Sequence, residues 1–142
     1  MTTQVAAPTV GTDRAFGSAN ATSMSSFITY NYISTLATQE IFIAPIRLRL
    51  TGISGVTRVA GSGGACTLAF YKCADGVAVG SGTLLHSGTF DVAGTADINQ
   101  YLTIVADVDS LNFQPGDRLG YVLTGTATSA VGNITATFEP RF

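Results

Sequence analysis

The chain has 142 residues, which is enough for one domain with a hydrophobic core. Only 11% of them are charged, with seven basic and nine acidic side chains and a net charge of −2. A nucleic-acid-binding role by a basic patch is excluded, because such a patch needs clustered Lys and Arg to neutralise phosphates. We expect a surface that either consists mainly of Thr, Ser, Asn and Gly or is largely buried against other protein.

The apolar runs are too short for a membrane role. The longest uninterrupted run covers positions 41–46, far below the roughly 20 residues that span a bilayer. The first 18 residues show no basic region followed by an apolar region, so we expect no secretory signal. We therefore expect synthesis and folding in the cytosol, with no membrane partner.

Residues 1–25 form a compositionally distinct segment, here called the arm. It is rich in Thr, Ala, Ser and Gly, and its isolated apolar residues cannot by themselves offset the entropy of ordering it. We expect a neighbouring chain to hold the arm. The side chains expected at that contact are Val5, Pro8, Val10, Arg14 and Phe16.

Residues 26–142 are predicted to form one β-sandwich domain, because apolar and polar residues alternate there with a period of two. Further strands are expected at 83–92 and 99–106. The in-phase apolar sets are Ile28, Tyr30, Tyr32 and Leu36; Ile46, Leu48 and Leu50; Cys66, Leu68 and Phe70; Leu119, Tyr121 and Leu123; and Ile134, Ala136, Phe138 and Phe142.

Turn residues separate these runs. Asp75-Gly76 is a strong hairpin signal, and Gln114-Pro115-Gly116-Asp117 predicts a tight turn because Pro fixes φ and Gly accepts positive φ. Only a short helical turn is expected, near 107–111. The pattern predicts an all-β fold, an antiparallel β-sandwich of the jelly-roll type with an extended N-terminal arm.

The two cysteines are predicted to be free thiols. In one extended strand Cys66 and Cys73 would lie about 23 Å apart, whereas a disulfide needs Cα atoms within about 7 Å. We expect Cys66 to point inward and Cys73 to lie on the other face. Neither has a nearby second ligand at zinc-site spacing, so no metal and no cofactor are predicted.

The sequence offers no convincing catalytic site, and the chain is predicted not to be an enzyme. His86 is the only histidine, and it lies in a strand-like run without a nucleophile elbow, so we expect a surface or rim position. Asp107 and Asp109 lack the Gly and terminal Glu of a calcium loop, which favours a helix cap or turn. An enzyme of unfamiliar type stays an alternative, with His86 as its natural general base.

The stretch from about residue 46 to 142 resembles small virion proteins of tailed bacteriophages. The similarity lies in the segments GSGTLLHSGTFDVAGTA, LNFQPGDRLGYVLTGTAT and NITATFEPRF. Jelly-roll capsid decoration (cement) proteins and phage fibre head domains have similar strand and turn segments with Thr- and Gly-rich spacing. The resemblance transfers no catalytic or ligand residue.

The resemblance implies a non-catalytic virion protein on the capsid exterior, made in the host cytoplasm. Its partners would be the major capsid protein and two further copies of itself in a homotrimer. The arm could add a strand to a coat-protein sheet edge. Arg47, Arg49 and Arg58 are candidate polar contacts, although a solvated outer face is the favoured interpretation of each.

Two other functions remain open from the sequence. A receptor- or glycan-binding head domain of a phage fibre or tail protein would need an exposed aromatic or polar pocket at one end of the sandwich. A shell-forming coat would usually carry a basic arm for the genome, and this arm contains only Arg14.

Overall fold

The computed structural model describes residues 25–34 and 36–141. It contains two short helices, a 3-10 helix at Val79–Ser81 and α1 at Val108–Leu111. The strands are β1 Ser26–Ser34, β2 Gln39–Ile43, β3 Leu48–Val59, β4 Cys66–Cys73, β5 Thr83–Leu84, β6 His86–Ser87, β7 Phe90–Asp91, β8 Asn99–Ile104, β9 Asn112–Phe113, β10 Arg118–Gly125 and β11 Ala130–Pro140.

The strands form two antiparallel sheets. The first sheet has the order β1-β11-β3-β8-β6, with β9 added beside β3. The second has the order β2-β10-β4-β5, with β7 added beside β4. Most connections cross from one sheet to the other, and the first and last strands pair with each other. This is jelly-roll topology, so the predicted fold class is confirmed.

The alternating sequence pattern explains why the sheets pack together. Along β11 each inward residue from Ala130 to Phe138 is buried, and each residue between them is only half-buried. Aromatic rings from both sheets meet between the layers. Tyr30 of the first sheet contacts Tyr121 of the second with ring centroids 6.1 Å apart, and Phe42 of the second sheet packs against Phe138 of the first at 5.2 Å.

Three local predictions need correction. The run 83–92 is not one strand but three two-residue strands, β5, β6 and β7, which serve both sheets. Ile46 does not join Leu48 and Leu50 in the core, because β3 begins only at Leu48 and Ile46 is 51% exposed. His86 is not at the surface or rim: it is 3% exposed.

The Gln114–Asp117 turn is confirmed, whereas Asp75-Gly76 forms a turn without the short hairpin that it predicts. The amide of Asp117 donates to the Gln114 carbonyl at 2.9 Å, and Gly116 has a φ of 92°. Asp75-Gly76 also forms a turn, closed by the Val77 amide on the Ala74 carbonyl at 3.1 Å. The chain does not return at once to β4, because the 3-10 helix intervenes before β5. Neither helix in residues 25–34 and 36–141 has the length and apolar character of a membrane-spanning helix.

Candidate interaction surface

The described residues contain no group of three or more His, Cys, Asp or Glu side chains that could hold a metal ion. His86 is occupied by structural hydrogen bonds. Its Nε2 accepts from the Phe70 amide at 3.0 Å, and its Nδ1 faces the Ser87 carbonyl at 3.1 Å. A neutral ring that donates from Nδ1 satisfies both bonds. Burial lowers the pKa of His86, although the bond to Ser87 opposes the shift. The ring therefore ties β6 to β4, across the seam between the sheets.

Both cysteines are free and buried. Cys66 faces the core as predicted. Cys73 has the opposite phase, as predicted, but it is buried because the 3-10 helix lies over it, with its Sγ 3.4 Å from the Val79 carbonyl oxygen. Burial raises the pKa of both thiols, which disfavours the reactive thiolate.

The polar residues around α1 are structural. Asp107 caps this helix, accepting from the Ser110 amide at 3.2 Å and from the Ser110 hydroxyl at 2.5 Å, so the cap interpretation is confirmed. The hydroxyl bond is the main reason why the pKa of Asp107 is lowered. Lys72 donates to the carbonyls of Asp109 and Asn112 at 3.0 and 2.9 Å, which fastens the helix and its exit to β4.

We call the outer surface of the first sheet the open face; its central rows carry no charged side chain. Cross-strand register aligns its residues in rows. One row runs Thr29, Thr135, Ser54, Tyr101, and the next runs Asn31, Asn133, Val56, Asn99. Each of these side chains is half-buried or exposed, and Tyr101 is 76% exposed. Further members of the open face include Phe27, Thr51, Thr103 and Thr137.

Charges lie at the ends of this face. Arg49 is opposite Glu139 in the register, close to the end where Ser26 begins β1, and its Nε donates to Asn112 Oδ1 at 3.3 Å. Arg58 is exposed at the other end, where it lines a depression of about 330 Å³ with Asn31 and Asn133. The two arginines are nine residues apart along β3, roughly 30 Å.

Arg47 lies just before β3, and its carbonyl accepts from the Arg141 amide at 3.0 Å. The structure thus groups Arg47 and Arg49 near the start of β1, where the arm joins the body, and leaves Arg58 at the far end of the open face. The predicted arm contacts fall outside the described residues: Val5, Pro8, Val10, Arg14 and Phe16.

Residues 74–82 cover part of the outer surface of the second sheet, which we call the covered face, and leave Thr124 at the end of β10 exposed. Val79 is 5% exposed and packs against Gly120 of β10, where an added Cβ would lie 3.0 Å from the valine methyl group. Gly82 approaches even more closely, because a Cβ there would lie 2.3 Å from the Lys72 carbonyl oxygen. Glycine permits this contact between the covering loop and the strand.

Arg118 fastens the covering loop. Its Nη2 donates to the carbonyls of Ala74, at 3.0 Å, and of Val77. Its Nη1 donates to the Glu40 carboxylate at 3.0 Å, and the Arg118 side chain is only 19% exposed. One guanidinium therefore links β2, β10 and the loop, which is the forked geometry that Arg provides.

Shallow, open depressions lie on the described surface. One of about 430 Å³ is lined by Gly, Ser, Ala and Thr of residues 61–67, together with Thr89, Asp91 and Ala93. It contains no aromatic side chain on which a sugar could stack. A depression of about 140 Å³ lies on the open face beside Tyr101.

Sequence reasoning missed two exposed aromatic residues of the open face. Phe27 is 68% exposed and Tyr101 is 76% exposed. The signal for Tyr101 was present, since Tyr101 shares its alternation phase with Asn99 and Thr103 in NQYLTI. An aromatic residue in a polar phase predicts a surface position.

No protein-family model and no curated protein matches the chain. Its fold is similar to a chain of the cyanophage Pam1 capsid asymmetric unit, with TM-score 0.51 and 12% identity, covering 92% of this chain and 96% of that chain. A chain from disulfide-linked pili that form Bacillus endospore appendages matches with TM-score 0.43 and 14% identity, covering 91% and 99%. A chain of infectious bursal disease virus, Gx strain, matches with TM-score 0.41 and 18% identity, covering 87% and 36%. At these identities the first likeness shows the fold alone, and the two weaker ones carry no argument.

Proposed function

We propose that this chain is a structural, non-catalytic virion protein that binds the outer surface of a phage capsid and stabilises it. The observation that carries the proposal is the open face. Tyr101 and Phe27 are exposed on this sheet surface, and the rows of residues between its charged ends contain no charged side chain. Such a surface can be desolvated against a partner without burying an unpaired charge.

The fold likeness supports the proposal. The matching chain belongs to the cyanophage Pam1 capsid asymmetric unit, and each chain covers more than nine tenths of the other, so the two are of similar length. A small jelly roll of this size suits an accessory capsid component. In this proposal the chain is made in the host cytoplasm and ends on the capsid exterior.

The partners in this proposal are the major capsid protein and two further copies of the chain in a homotrimer. The open face lies against the coat, with Arg49 and Arg58 as polar contacts at its ends and Arg47 near the start of the arm. Val5, Pro8, Val10, Arg14 and Phe16 supply the arm contacts. Burial of Tyr101 and Phe27 contributes at about 25 cal/mol per Å² before the cost of association.

Capsids of the phage that encodes this chain, prepared without it, test the proposal. The purified chain should co-sediment with them at a fixed ratio and raise their melting temperature, and light scattering should give three times the chain mass. A chain that lacks residues 1–20 should keep its melting temperature but lose capsid binding. Normal decoration by the truncated chain would refute the arm contacts, and no binding by the full chain would refute the function.

A further inference from the structure

The β1 edge is unlike the other edges of the sandwich. β1 has nine residues, SFITYNYIS, without a charge, a proline or a glycine. It pairs with β11 in one unbroken register from Ser26 to Ser34, and no described strand pairs with its other side. Long, regular, uncharged edges are the ones that accept another strand, and proteins usually protect them.

The other edges carry such protection. β2 has five residues, contains the ion-paired Glu40 and pairs with β10 through a register shift. The strands β5, β6 and β7 have two residues each. Beside β8, the side-chain amide of Gln100 bonds both backbone groups of Asp91, accepting from its amide at 2.7 Å and donating to its carbonyl at 2.8 Å. Only β1 among the described edges is left unprotected.

We propose that β1 pairs antiparallel with β1 of a second copy of this chain, across a two-fold axis that passes beside Tyr30. Because β1 runs from position 26 to 34, centring on Tyr30 pairs all nine residues. In this register residue i meets residue 60 − i of the other copy. Both positions then have the same parity, so inward residues face inward residues and the two open faces join into one surface.

The chemistry of this register is self-complementary. Ile28 lies opposite Tyr32 of the second copy, and Tyr30 lies opposite Tyr30, which are aromatic and β-branched pairs that stabilise antiparallel strands. On the open face Thr29 lies opposite Asn31, so two neutral hydrogen-bonding side chains meet. With no charge on β1, no like charges approach each other.

The size of the contact sets its strength. A nine-residue edge is about 30 Å long, and an edge contact of this length buries less than the roughly 800 Å² per partner of a standard interface. The pairing is therefore weak between free chains. It becomes effective where copies are held side by side, because tethering raises their effective concentration. It joins bodies in pairs and is separate from a three-copy contact.

Charged substitutions on the β1 edge test the pairing. The double variant T29K/N31K places Lys opposite Lys in the paired register, and T29E/N31E places Glu opposite Glu. Each variant alone should lose the concentration-dependent association of the wild type in sedimentation velocity. An equimolar mixture should associate about tenfold more tightly than either variant alone, because two opposite-charge pairs replace two like-charge pairs.

A matched control uses Thr103, an exposed residue at the opposite side of the open face. Mixing T103K with T103E should produce no extra association. Equal association in both mixtures would overturn the register, since it would show only non-specific attraction. Absence of association in the β1 mixture would overturn the pairing itself, including the case in which residues 1–24 cover the edge. The outcome does not depend on capsid binding, so the proposed function can fail or succeed separately.

Discussion

The two outer surfaces of this sandwich share the same alternation of residues but differ in how much of each is covered by the chain itself. On the covered face the chain folds residues 74–82 back over the sheet, burying Val79 and Cys73 and engaging Arg118. On the open face alternate Thr, Ser and Asn residues stay accessible from β1 to β8. Both faces start from the same period-two alternation, so the alternation alone does not decide which one is covered.

The difference indicates that the covered face contributes more to the stability of the fold than the open face does. Substitutions under the covering loop should destabilise the fold, since the covered face contains close backbone contacts and the partly buried guanidinium of Arg118. Substitutions on the open face should leave the fold nearly unchanged and affect only what binds there. Matched pairs of variants, compared between the two faces, test whether stability depends on the covered face and partner binding on the open face.

The largest difference is expected between two glycines. G82A places a Cβ 2.3 Å from the Lys72 carbonyl oxygen, so the covering loop must move, at a cost of about 3 kcal/mol. G52A, on β3 of the first sheet, meets nothing within 4 Å and should change stability by less than about 0.5 kcal/mol. Urea unfolding of both variants measures this. Equal losses would show that the two faces are not distinguished by packing.

A smaller difference is expected between two arginines. R118A removes hydrogen bonds to Glu40, Ala74 and Val77 and should cost about 2 kcal/mol. R58A removes an exposed side chain and should cost less than about 0.5 kcal/mol. Thermal melting at one salt concentration compares them. If R58A costs as much as R118A, Arg58 contributes to the fold and is not free for a partner.

His86 gives the seam between the sheets a pH dependence. Its pKa in the folded protein lies below its usual value of 6.5, so between these two pKa values the unfolded chain binds more protons than the folded one. Stability therefore rises with pH in that window, by at most about 1.4 kcal/mol per pH unit, and is flat just above it. Urea midpoints measured from pH 5 to 7.5 should show this slope, and H86Q should remove it. A slope that persists in H86Q would assign the titration to another group.

Much of the fold could be predicted from the sequence. The inward phases of β4, β10 and β11 are correct because one face of each strand is buried, which fixes the alternation. The Gln114–Asp117 turn was recognisable because Pro and Gly restrict it locally. The arm, its contacts and the trimer stay predictions, because they concern residues 1–24 or other chains.

What could not be predicted depends on long-range packing. Cys73 has the phase of an exposed residue and is buried because a 3-10 helix six residues later returns over it. His86 is polar yet buried, since the Phe70 amide and the Ser87 carbonyl happen to satisfy its ring. The sequence pattern also could not predict which face stays open, because this depends on which sheet residues 74–82 pack against.

Capsid binding by face-specific variants tests the central claim most directly. T51K and Y101K add charge to the open face, whereas T124K adds the same charge to an exposed position of β10 on the other face. All three should melt like the wild type. We predict that T51K and Y101K bind capsids at least about tenfold more weakly, because a charge must then be desolvated against the coat. T124K should bind normally. Equal binding by all three, or loss confined to T124K, would contradict the assignment of the open face as the docking surface.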